Sequence, residues 1–262
     1  MSNGNPDERP LALITGAGWW PEQSPGLGWA LGVALASAGY RVVLSDREIE
    51  PAERAAADLQ AKGYAAEAAA IDVTDDGAVA RAIDAIASRH GRLDAAVNAA
   101  ALTLHRWGLK PFHEITAEQC RQEMAVTLGG ALNVSRAAIP HLLARGAGNL
   151  IFVASVLADE PAPRQAIYGL CKAALKSLTA SLAAELGPQG IRVNAVSPGV
   201  MKTRVTDKLP PAYMDTFIAR SALRRISEPG EIAAVVRFLV SDQASYVNGQ
   251  TIRVDGGSVG AV

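Results

Sequence analysis

Tyr168 and Lys172, four residues apart, are the side chains of this chain best suited to acid-base chemistry. On a helix, residues with this spacing project from the same face, so the ammonium can lie close to the phenol and favour its charged form. The phenol, whose pKa is ordinarily near ~10, then becomes an acid or base closer to neutral pH. Ser155 ends an apolar run typical of a buried strand, and its hydroxyl can hydrogen-bond a reacting oxygen. The three residues predict a catalytic site that moves a proton at an oxygen while a hydride moves at the carbon that bears it.

Glycines follow the first apolar run of the chain, in a loop that extends from Gly16 to Gly28. Between a strand and a helix, such glycines let the backbone approach a pyrophosphate, and the helix N-terminus offers N–H groups. Asp46 ends the second apolar run, where a carboxylate can bind the adenosine ribose and repel a 2′-phosphate. Arg47 could hold a phosphate, but the loop contains no Arg or Lys to assist it. The sequence therefore predicts NAD as the cofactor, with NADP disfavoured.

Short apolar runs alternate with longer Ala-rich helical patterns, which is typical of βαβ units and an α/β fold with a parallel sheet. The predicted strands lie at residues 11–15, 41–45, 65–71, 93–97, 150–154, 191–196 and 251–254. The predicted helices lie at residues 28–38, 51–62, 75–89, about 117–144, around Tyr168, and 228–239. Residues 197–228, rich in Pro and mixed charge, are predicted to be irregular, with a substrate lid at about 200–228. A flexible tail at residues 1–10 is expected to precede one catalytic domain at 11–262.

The composition favours a globular protein that binds small molecules. A chain of 262 residues with 49% hydrophobic content can bury a substantial core. A formal net charge of -1 without a basic run argues against nucleic acid and against an electrostatically bound membrane surface. Cys120 and Cys171 have no metal-ligand spacing and are too few for a disulfide framework, which fits a reducing cytoplasm and predicts no metal. No signal-peptide core or membrane-length apolar stretch is present, so no membrane partner is expected.

From Leu11 to Gly257, the chain resembles the short-chain dehydrogenases/reductases of the compact type. The matching motifs occur in the family's order and cover its nucleotide loop, adenine contact, fourth-strand end, catalytic residues, nicotinamide segment and last strand. In this sequence they are Thr15-Gly16 with Gly26 and Gly28, Asp72-Val73, Asn98-Ala99-Ala100, Ser155 with Tyr168 and Lys172, Asn194 with Ser197-Pro198-Gly199 and Thr203, and Asp255-Gly256-Gly257.

The resemblance implies a Rossmann-type, doubly wound, seven-stranded parallel sheet in a single domain, assembled as a homotetramer through two long helices of each subunit, or as a homodimer. It implies an NAD-dependent oxidoreductase that transfers a hydride between a secondary alcohol or ketone and nicotinamide. Tyr168 would be the acid or base and Ser155 would orient the oxygen, while Lys172 would bind the nicotinamide ribose and lower the tyrosine pKa. Thr203 would bind the carboxamide. The implied cofactor-binding residues are Gly16, Gly26, Leu27, Gly28, Asp46, Asp72, Val73, Asn98, Ala100, Tyr168, Lys172, Pro198, Gly199, Val200 and Thr203.

The chain departs from the family pattern in three places. Nine residues separate Gly16 from Gly26, six more than the pattern has, and this insertion contains Trp19 and Trp20. An indole could pack on the adenosine side of the cofactor, or the insertion could be a surface loop. Thr127 stands where the family has an asparagine implied to anchor a water behind the lysine, so the resemblance places Thr127 among the catalytic residues by position and does not give it the asparagine's role. The fourth-strand motif also lacks its first asparagine and its glycine, which small alanines can replace.

Three other assignments remain open. Enoyl reductases of the same superfamily also lengthen the first loop, but they typically place Tyr and Lys seven residues apart. A 3-oxoacyl carrier-protein reductase normally uses NADPH, which Asp46 disfavours, and a catalytically silent NAD-binding regulatory protein would fit the change at Thr127.

The substrate is expected beside the nicotinamide, and two kinds of side chain in the flanking segments point to different substrates. A set of cations would favour a carboxylate or phosphate, whereas a set of apolar side chains would favour an apolar alcohol. The cations are His105, Arg106, Lys110, Arg164, Lys202 and Arg204, with Asp159, Glu160 and Glu114 as possible ion-pair partners, and the apolar side chains are Trp107, Leu157 and Tyr213.

Overall fold

All seven predicted strands are present in the computed structural model, which describes residues 8–20, 24, 26–102, 108–204 and 206–258, apart from the side chain of Tyr213. Within these residues the strands form one parallel sheet in the order β3-β2-β1-β4-β5-β6-β7. They are β1 (Leu11–Thr15), β2 (Arg41–Asp46), β3 (Ala66–Ala70), β4 (Ala95–Asn98), β5 (Gly148–Val153), β6 (Ile191–Pro198) and β7 (Thr251–Val254). The doubly wound fold predicted from the sequence is confirmed. Most of the predicted tail, residues 1–7, lies outside the described residues.

Helices cover both faces of the sheet because alternate strand residues point to opposite sides. The helices are α1 (Leu27–Ser37), α2 (Ile49–Ala61), α3 (Asp76–His90), α4 (Ala117–Met124), α5 (Gly130–Arg145), α6 (Ala166–Leu186), α7 (Pro211–Arg220) and α8 (Pro229–Val240). In β1, Leu11 and Leu13 pack in a core with α3, α5 and α6, whereas Ala12 and Ile14 pack in a second core with α1, α2 and α8.

The long helix predicted at about 117–144 has the expected extent but contains a π-helical turn, Ala125–Gly129, between α4 and α5. Thr116 starts this run with a capping box, in which the Thr116 side chain accepts from the Gln119 N–H and the Gln119 side chain accepts from the Thr116 N–H. Wider turns of this kind change the direction in which side chains project, and they occur often at functional sites. Thr127 lies inside this turn.

The prediction of an irregular stretch at 197–228 is wrong in part, because α7 lies within it. Pro211 occupies the first turn of α7, where the missing N–H of proline costs nothing and its fixed φ suits a helix. A short 3₁₀ turn, Thr206–Lys208, precedes it. Proline content therefore marked the start of a helix here as well as a loop.

Strand order reverses between β1 and β4, since β1 pairs with β2 on one side and with β4 on the other. The connections from these strands diverge at their carboxyl ends and leave a crevice, the usual ligand site of doubly wound sheets. Among the described residues, no helix combines the length and apolarity that a membrane crossing requires.

Candidate active site

Backbone segments meet tightly at the carboxyl ends of β1 and β4. Gly16 has φ +66°, and a Cβ there would lie 2.7 Å from the Ala100 Cα. A Cβ on Gly28 would lie 2.3 Å from the Gly16 carbonyl oxygen. Neither position accepts a side chain without a backbone shift, so glycine is required for α1 to begin this close to β1. Gly26 precedes α1 without a side-chain cap, which leaves N–H groups of the first turn available at the crevice.

Two side chains hold the loops around this crevice. The Thr15 hydroxyl accepts hydrogen bonds from the Ala99 and Ala100 N–H groups, both at 3.2 Å. Asp46, at the end of β2, accepts from the Gly18 N–H at 3.0 Å and from the Arg47 N–H at 2.8 Å. Each carboxylate oxygen can accept a further hydrogen bond, so Asp46 retains capacity for ribose hydroxyls.

The crevice forms a cleft of about 660 Å³. Its lining includes eleven of the residues predicted from the sequence: Gly16, Gly26, Leu27, Gly28, Asp46, Asp72, Val73, Ala100, Tyr168, Lys172 and Thr203. Residues that the sequence reasoning missed, among them Gln122, Ala125 and Val126, also border it. The glycine cradle, the helix N-terminus and the carboxylate at the end of β2 are together suited to a dinucleotide.

Four predicted cofactor residues lie behind the cleft and do not line it. Asn98 is buried at the end of β4 and donates to the Ser135 hydroxyl at 3.5 Å. Pro198 ends β6, the Gly199 N–H donates to the Val254 carbonyl at 3.0 Å, and Val200 accepts from the Ser227 N–H at 3.1 Å. These contacts shape the backbone beside the cleft.

Tyr168 and Lys172 border the cleft, and the buried Ser155 lies next to Tyr168 without lining the cleft itself. Ser155 follows β5 and begins a short 3₁₀ turn, where its hydroxyl accepts from the Leu157 N–H at 3.2 Å and reaches the Tyr168 phenol. Tyr168 and Lys172 lie on α6, and the Lys172 Nζ is 5.5 Å from the centre of the tyrosine ring. The same Nζ donates to the Val153 carbonyl at 2.7 Å. The predicted constellation is thus assembled from the end of β5 and one face of α6.

The expected lowering of the tyrosine pKa by Lys172 is not seen in this structure. Burial raises the pKa of Tyr168 to about 12, although the Ser155 hydrogen bond acts in the opposite direction. Burial also lowers the pKa of Lys172 to about 8. Lys172 is 2% exposed, and its ammonium is directed at a backbone carbonyl. Desolvation is therefore the largest influence on the pKa of each group.

Thr127 is buried in the π-helical turn and does not border the cleft. Its hydroxyl accepts from the Leu102 N–H at 3.2 Å and donates to Glu123 Oε1 at 2.9 Å. Glu123 is itself buried, with 7% exposure. The sequence analysis missed Glu123, although its position four residues before Thr127 on a helical stretch was a visible signal.

The inserted residues between Gly16 and Gly26 contribute one aromatic ring to the cleft and one to the core. Trp20 borders the cleft, and the Arg204 guanidinium lies 3.7 Å from the centre of its indole ring. Trp19 stacks against Trp29 of α1, with ring centres 6.2 Å apart. Arg204 is partly buried, and this burial lowers the pKa of its guanidinium more than the nearby negative charge of Asp46 raises it. The loop thus connects the nucleotide side of the cleft with the segment that follows β6.

The predicted cluster of substrate-binding cations is divided by the structure. Lys110 and Arg164 line a smaller cavity beside Tyr168, together with Glu123, Gln119 and Gln165. Their proposed neutralising partners are engaged elsewhere: Asp159 pairs with Lys176, Glu160 with Arg220 and Arg253, and Glu114 with His113. Lys202 lies 3.9 Å from Glu228. His105, Arg106 and Trp107 and the side chain of Tyr213 lie outside the described residues, and Leu157 is partly buried.

Comparison with known proteins gives the same architecture and the same sequence pattern. A family model described as enoyl-(acyl carrier protein) reductase matches residues 22–258. Meso-2,3-butanediol dehydrogenase of Serratia marcescens is 36% identical over 248 residues, covering 95% of this chain and 94% of the relative. Dehydrogenase/reductase SDR family member 4 of Bos taurus is 30% identical over 261 residues, covering 99% and 90%.

A solved structure of a gluconate 5-dehydrogenase from Burkholderia cenocepacia, in complex with NADP and tartrate, superposes with a TM-score of 0.89. It is 33% identical, and the alignment covers 97% of this chain and 96% of that chain. A 3-oxoacyl-[acyl-carrier-protein] reductase of Thermotoga maritima is 31% identical over 252 residues, covering 96% and 98%. With its cleft, its Ser155, Tyr168 and Lys172 constellation and these relatives, the chain belongs to the short-chain dehydrogenase/reductase family of oxidoreductases, which bind a nicotinamide cofactor.

Proposed function

We propose that this protein is an NAD(H)-dependent oxidoreductase that interconverts a secondary alcohol and a ketone. The observation that carries the proposal is the position of Tyr168 and Lys172 on the wall of a cleft suited to a dinucleotide, with Ser155 next to the phenol. A phenol and a hydroxyl in contact can bind one substrate oxygen between them.

In alcohol oxidation, Tyr168 in its phenolate form accepts the proton of the substrate hydroxyl, and Ser155 holds the same oxygen through a hydrogen bond. A nicotinamide cofactor held by the glycine cradle, Asp46 and Lys172 would supply the hydride acceptor for the carbon that bears this oxygen. In ketone reduction, Tyr168 donates its proton to the carbonyl oxygen. Because burial raises its pKa to about 12, the phenol is well suited to hold the proton that reduction requires.

Lys172 is proposed to hold the ribose next to the nicotinamide and to stabilise the phenolate. Its ammonium now donates to the Val153 carbonyl and has further N–H groups to offer. The Tyr168 pKa should therefore fall once a cofactor fixes the ammonium beside the phenol, because a nearby positive charge favours the phenolate.

For the cofactor, the carboxylate of Asp46 favours NAD. Asn at this position would keep an acceptor for the Gly18 N–H but lose the charge that repels a 2′-phosphate. We expect Asp46→Asn to lower the ratio of kcat/KM for NAD to that for NADP by about 10- to 100-fold. Initial rates with each cofactor measure this ratio, and Asp76→Asn on the exposed surface of α3 is the matched control. A wild-type preference for NADP would refute this role for Asp46. The related gluconate 5-dehydrogenase structure contains NADP, so both cofactors must be compared.

The same charge argues against a 3-oxoacyl carrier-protein reductase activity, which normally uses NADPH. The spacing of four between Tyr168 and Lys172 argues against an enoyl reductase activity in spite of the description of the family model.

Trp20 is proposed to close the nucleotide end of the cleft through its contact with Arg204. Removing the indole in Trp20→Ala eliminates a cation–π contact worth about 0.5–2 kcal/mol and part of the cleft wall. We expect the Kd for NADH to rise about 3- to 30-fold, measured by titration of NADH fluorescence. Trp19→Leu is the control, because Trp19 packs on Trp29 and is not part of the cleft lining. An unchanged Kd in Trp20→Ala would mean that the insertion is only a surface loop.

The substrate is proposed to carry an anionic group. Lys110 and Arg164 line the cavity beside Tyr168, and no ion pair of either is found among the described residues. A carboxylate would bind there at modest distance from the reacting oxygen. Hydroxy acids are therefore expected to give higher kcat/KM than neutral secondary alcohols in a panel followed as NADH formation at 340 nm. If neutral alcohols exceed their matched hydroxy acids, the cavity does not select an anion.

Assembly as a homotetramer, or as a homodimer, is part of the same proposal. Apolar side chains on the long helices are exposed in the single subunit, with Leu132 and Leu143 on α5 and Leu170 on α6. Such side chains are favourable to bury between subunits, which supports contact through these helices.

A further inference from the structure

Among the described residues, Glu123 is the one acidic residue that is buried, and it lines the same small cavity as Tyr168. The proposed reaction does not use it. It lies on the last turn of α4, which packs against α6, the helix of Tyr168 and Lys172. With only 7% exposure, an acid here must be held by specific partners, because an unpaired buried carboxylate is costly.

Its firm partner is the Thr127 hydroxyl, which donates to Glu123 Oε1 at 2.9 Å. Thr127 is in turn fixed by the Leu102 N–H, at 3.2 Å, and Leu102 borders the cleft. A chain of hydrogen bonds therefore runs from the cleft wall through the π-helical turn to the carboxyl.

The carboxyl also lies in the field of the proposed catalytic pair. Glu123 and Tyr168 line the same small cavity. The groups that face Glu123 are Tyr168, Cys171 and Lys172 from α6, Thr127 from the π-helical turn, and Lys110 and Arg164 across the cavity. Among them, Lys172 is the buried cation, and its charge lowers the pKa of Glu123 while burial raises it more strongly.

We propose that Glu123, held by Thr127, is a positioning residue whose negative charge sets the pH range in which Tyr168 and Lys172 operate. This inference rests on the proposed function. A negative charge favours the protonated form of each neighbour, the ammonium of Lys172 and the neutral phenol of Tyr168. Consistent with this sign, Glu123 raises the pKa of both groups.

Glu123→Gln removes the negative charge and keeps the shape of the side chain, so both Tyr168 and Lys172 should lose their protons at lower pH. We expect both limbs of the pH profile of kcat/KM for alcohol oxidation to move to lower pH, by about 0.5–1 pH unit. Glu118→Gln is the matched control, because Glu118 lies in the first turn of α4 with an exposed side chain. This variant should leave the pH profile unchanged.

A second pair of variants keeps the test decisive if Glu123→Gln does not fold. Thr127→Val removes the hydroxyl that holds Glu123 in place, so the carboxylate is no longer fixed beside Tyr168 and Lys172 and the limbs should move in the same direction. Thr127→Ser keeps the hydroxyl and should restore the wild-type limbs. A limb displacement in Thr127→Val that serine reverses supports the proposal, and superimposable profiles in Thr127→Val or in Glu123→Gln overturn it.

The proposed function can fail independently of this inference. If Tyr168→Phe retained turnover, the acid-base assignment would be wrong whatever Glu123 does. If Tyr168→Phe were inactive while Glu123→Gln left both limbs unmoved, only the role of Glu123 would be wrong. If Glu123 had only a structural role, Glu123→Gln would lower the melting temperature without moving either limb of the pH profile.

Discussion

Tyr168→Phe is expected to lower kcat by about 10²- to 10⁴-fold while leaving KM nearly unchanged, because it removes only the proton donor and acceptor. The ring of Tyr168 lies against the cleft, and phenylalanine preserves that wall. Loss of the phenol leaves Ser155 to hold the substrate oxygen alone, so binding persists while proton transfer is lost. In terms of transition-state stabilisation, the loss corresponds to about 3–5 kcal/mol.

The measurement is the initial rate of NADH formation with the best substrate from the alcohol and hydroxy-acid panel, in wild type and variant. Tyr246→Phe is the matched control, since Tyr246 is fully exposed and lies outside both cavities. Equal rates for Tyr168→Phe and wild type would exclude Tyr168 as the acid or base. Retention of tight NADH binding in an inactive variant would place the defect in the chemical step.

The sheet was predictable from the sequence because its central strands are buried on both faces. Ala12 to Ile14 and Val42 to Leu44 are short apolar runs without alternation, and helices cover both sides of each. The cleft was predictable for a related reason. Glycines between a first strand and a first helix, and a carboxylate at the end of the second strand, have few structural uses other than binding a dinucleotide.

What the sequence did not give is the result of packing between distant segments. Arg204 meets Trp20 only because the segment after β6 and the inserted loop are brought to the same rim of the cleft. The π-helical turn around Thr127 has no distinctive residue pattern, and it decides which side chains face Glu123. The pKa of Tyr168 depends on how deeply α6 is buried, which spacing along a helix does not determine.

Lys172 is predicted to favour function at the expense of stability. Its ammonium is 2% exposed, and burial lowers its pKa to about 8 from the ordinary 10.5. Below pH 8 the folded protein must hold this charge in a poorly solvated place, at a cost on the order of 3 kcal/mol. Between pH 8 and 10.5 the unfolded chain binds the proton more tightly than the folded one, so this cost disappears as the pH rises through that window.

Lys172→Met should therefore abolish most activity and yet leave the protein as stable as wild type or more so at pH 7. Methionine fills a similar volume without charge, although the Val153 carbonyl loses its donor, which offsets part of the gain. We expect kcat/KM to fall by at least about 10²-fold and the melting temperature at pH 7 to stay equal or rise by a few degrees. The difference in melting temperature should shrink at pH 10, because wild-type Lys172 is then largely neutral in the folded protein.

Lys176→Met is the control for the loss of a lysine from this helix. Lys176 lies one turn further along α6, and its partly exposed side chain pairs with Asp159. It should keep the activity and show no gain in stability that fades between pH 7 and pH 10. A marked loss of stability in Lys172→Met at pH 7 would identify Lys172 as a structural residue that ties α6 to the end of β5. Equal stability with lost activity would instead mean that the charge is maintained there for the reaction, since burying it brings the fold no benefit.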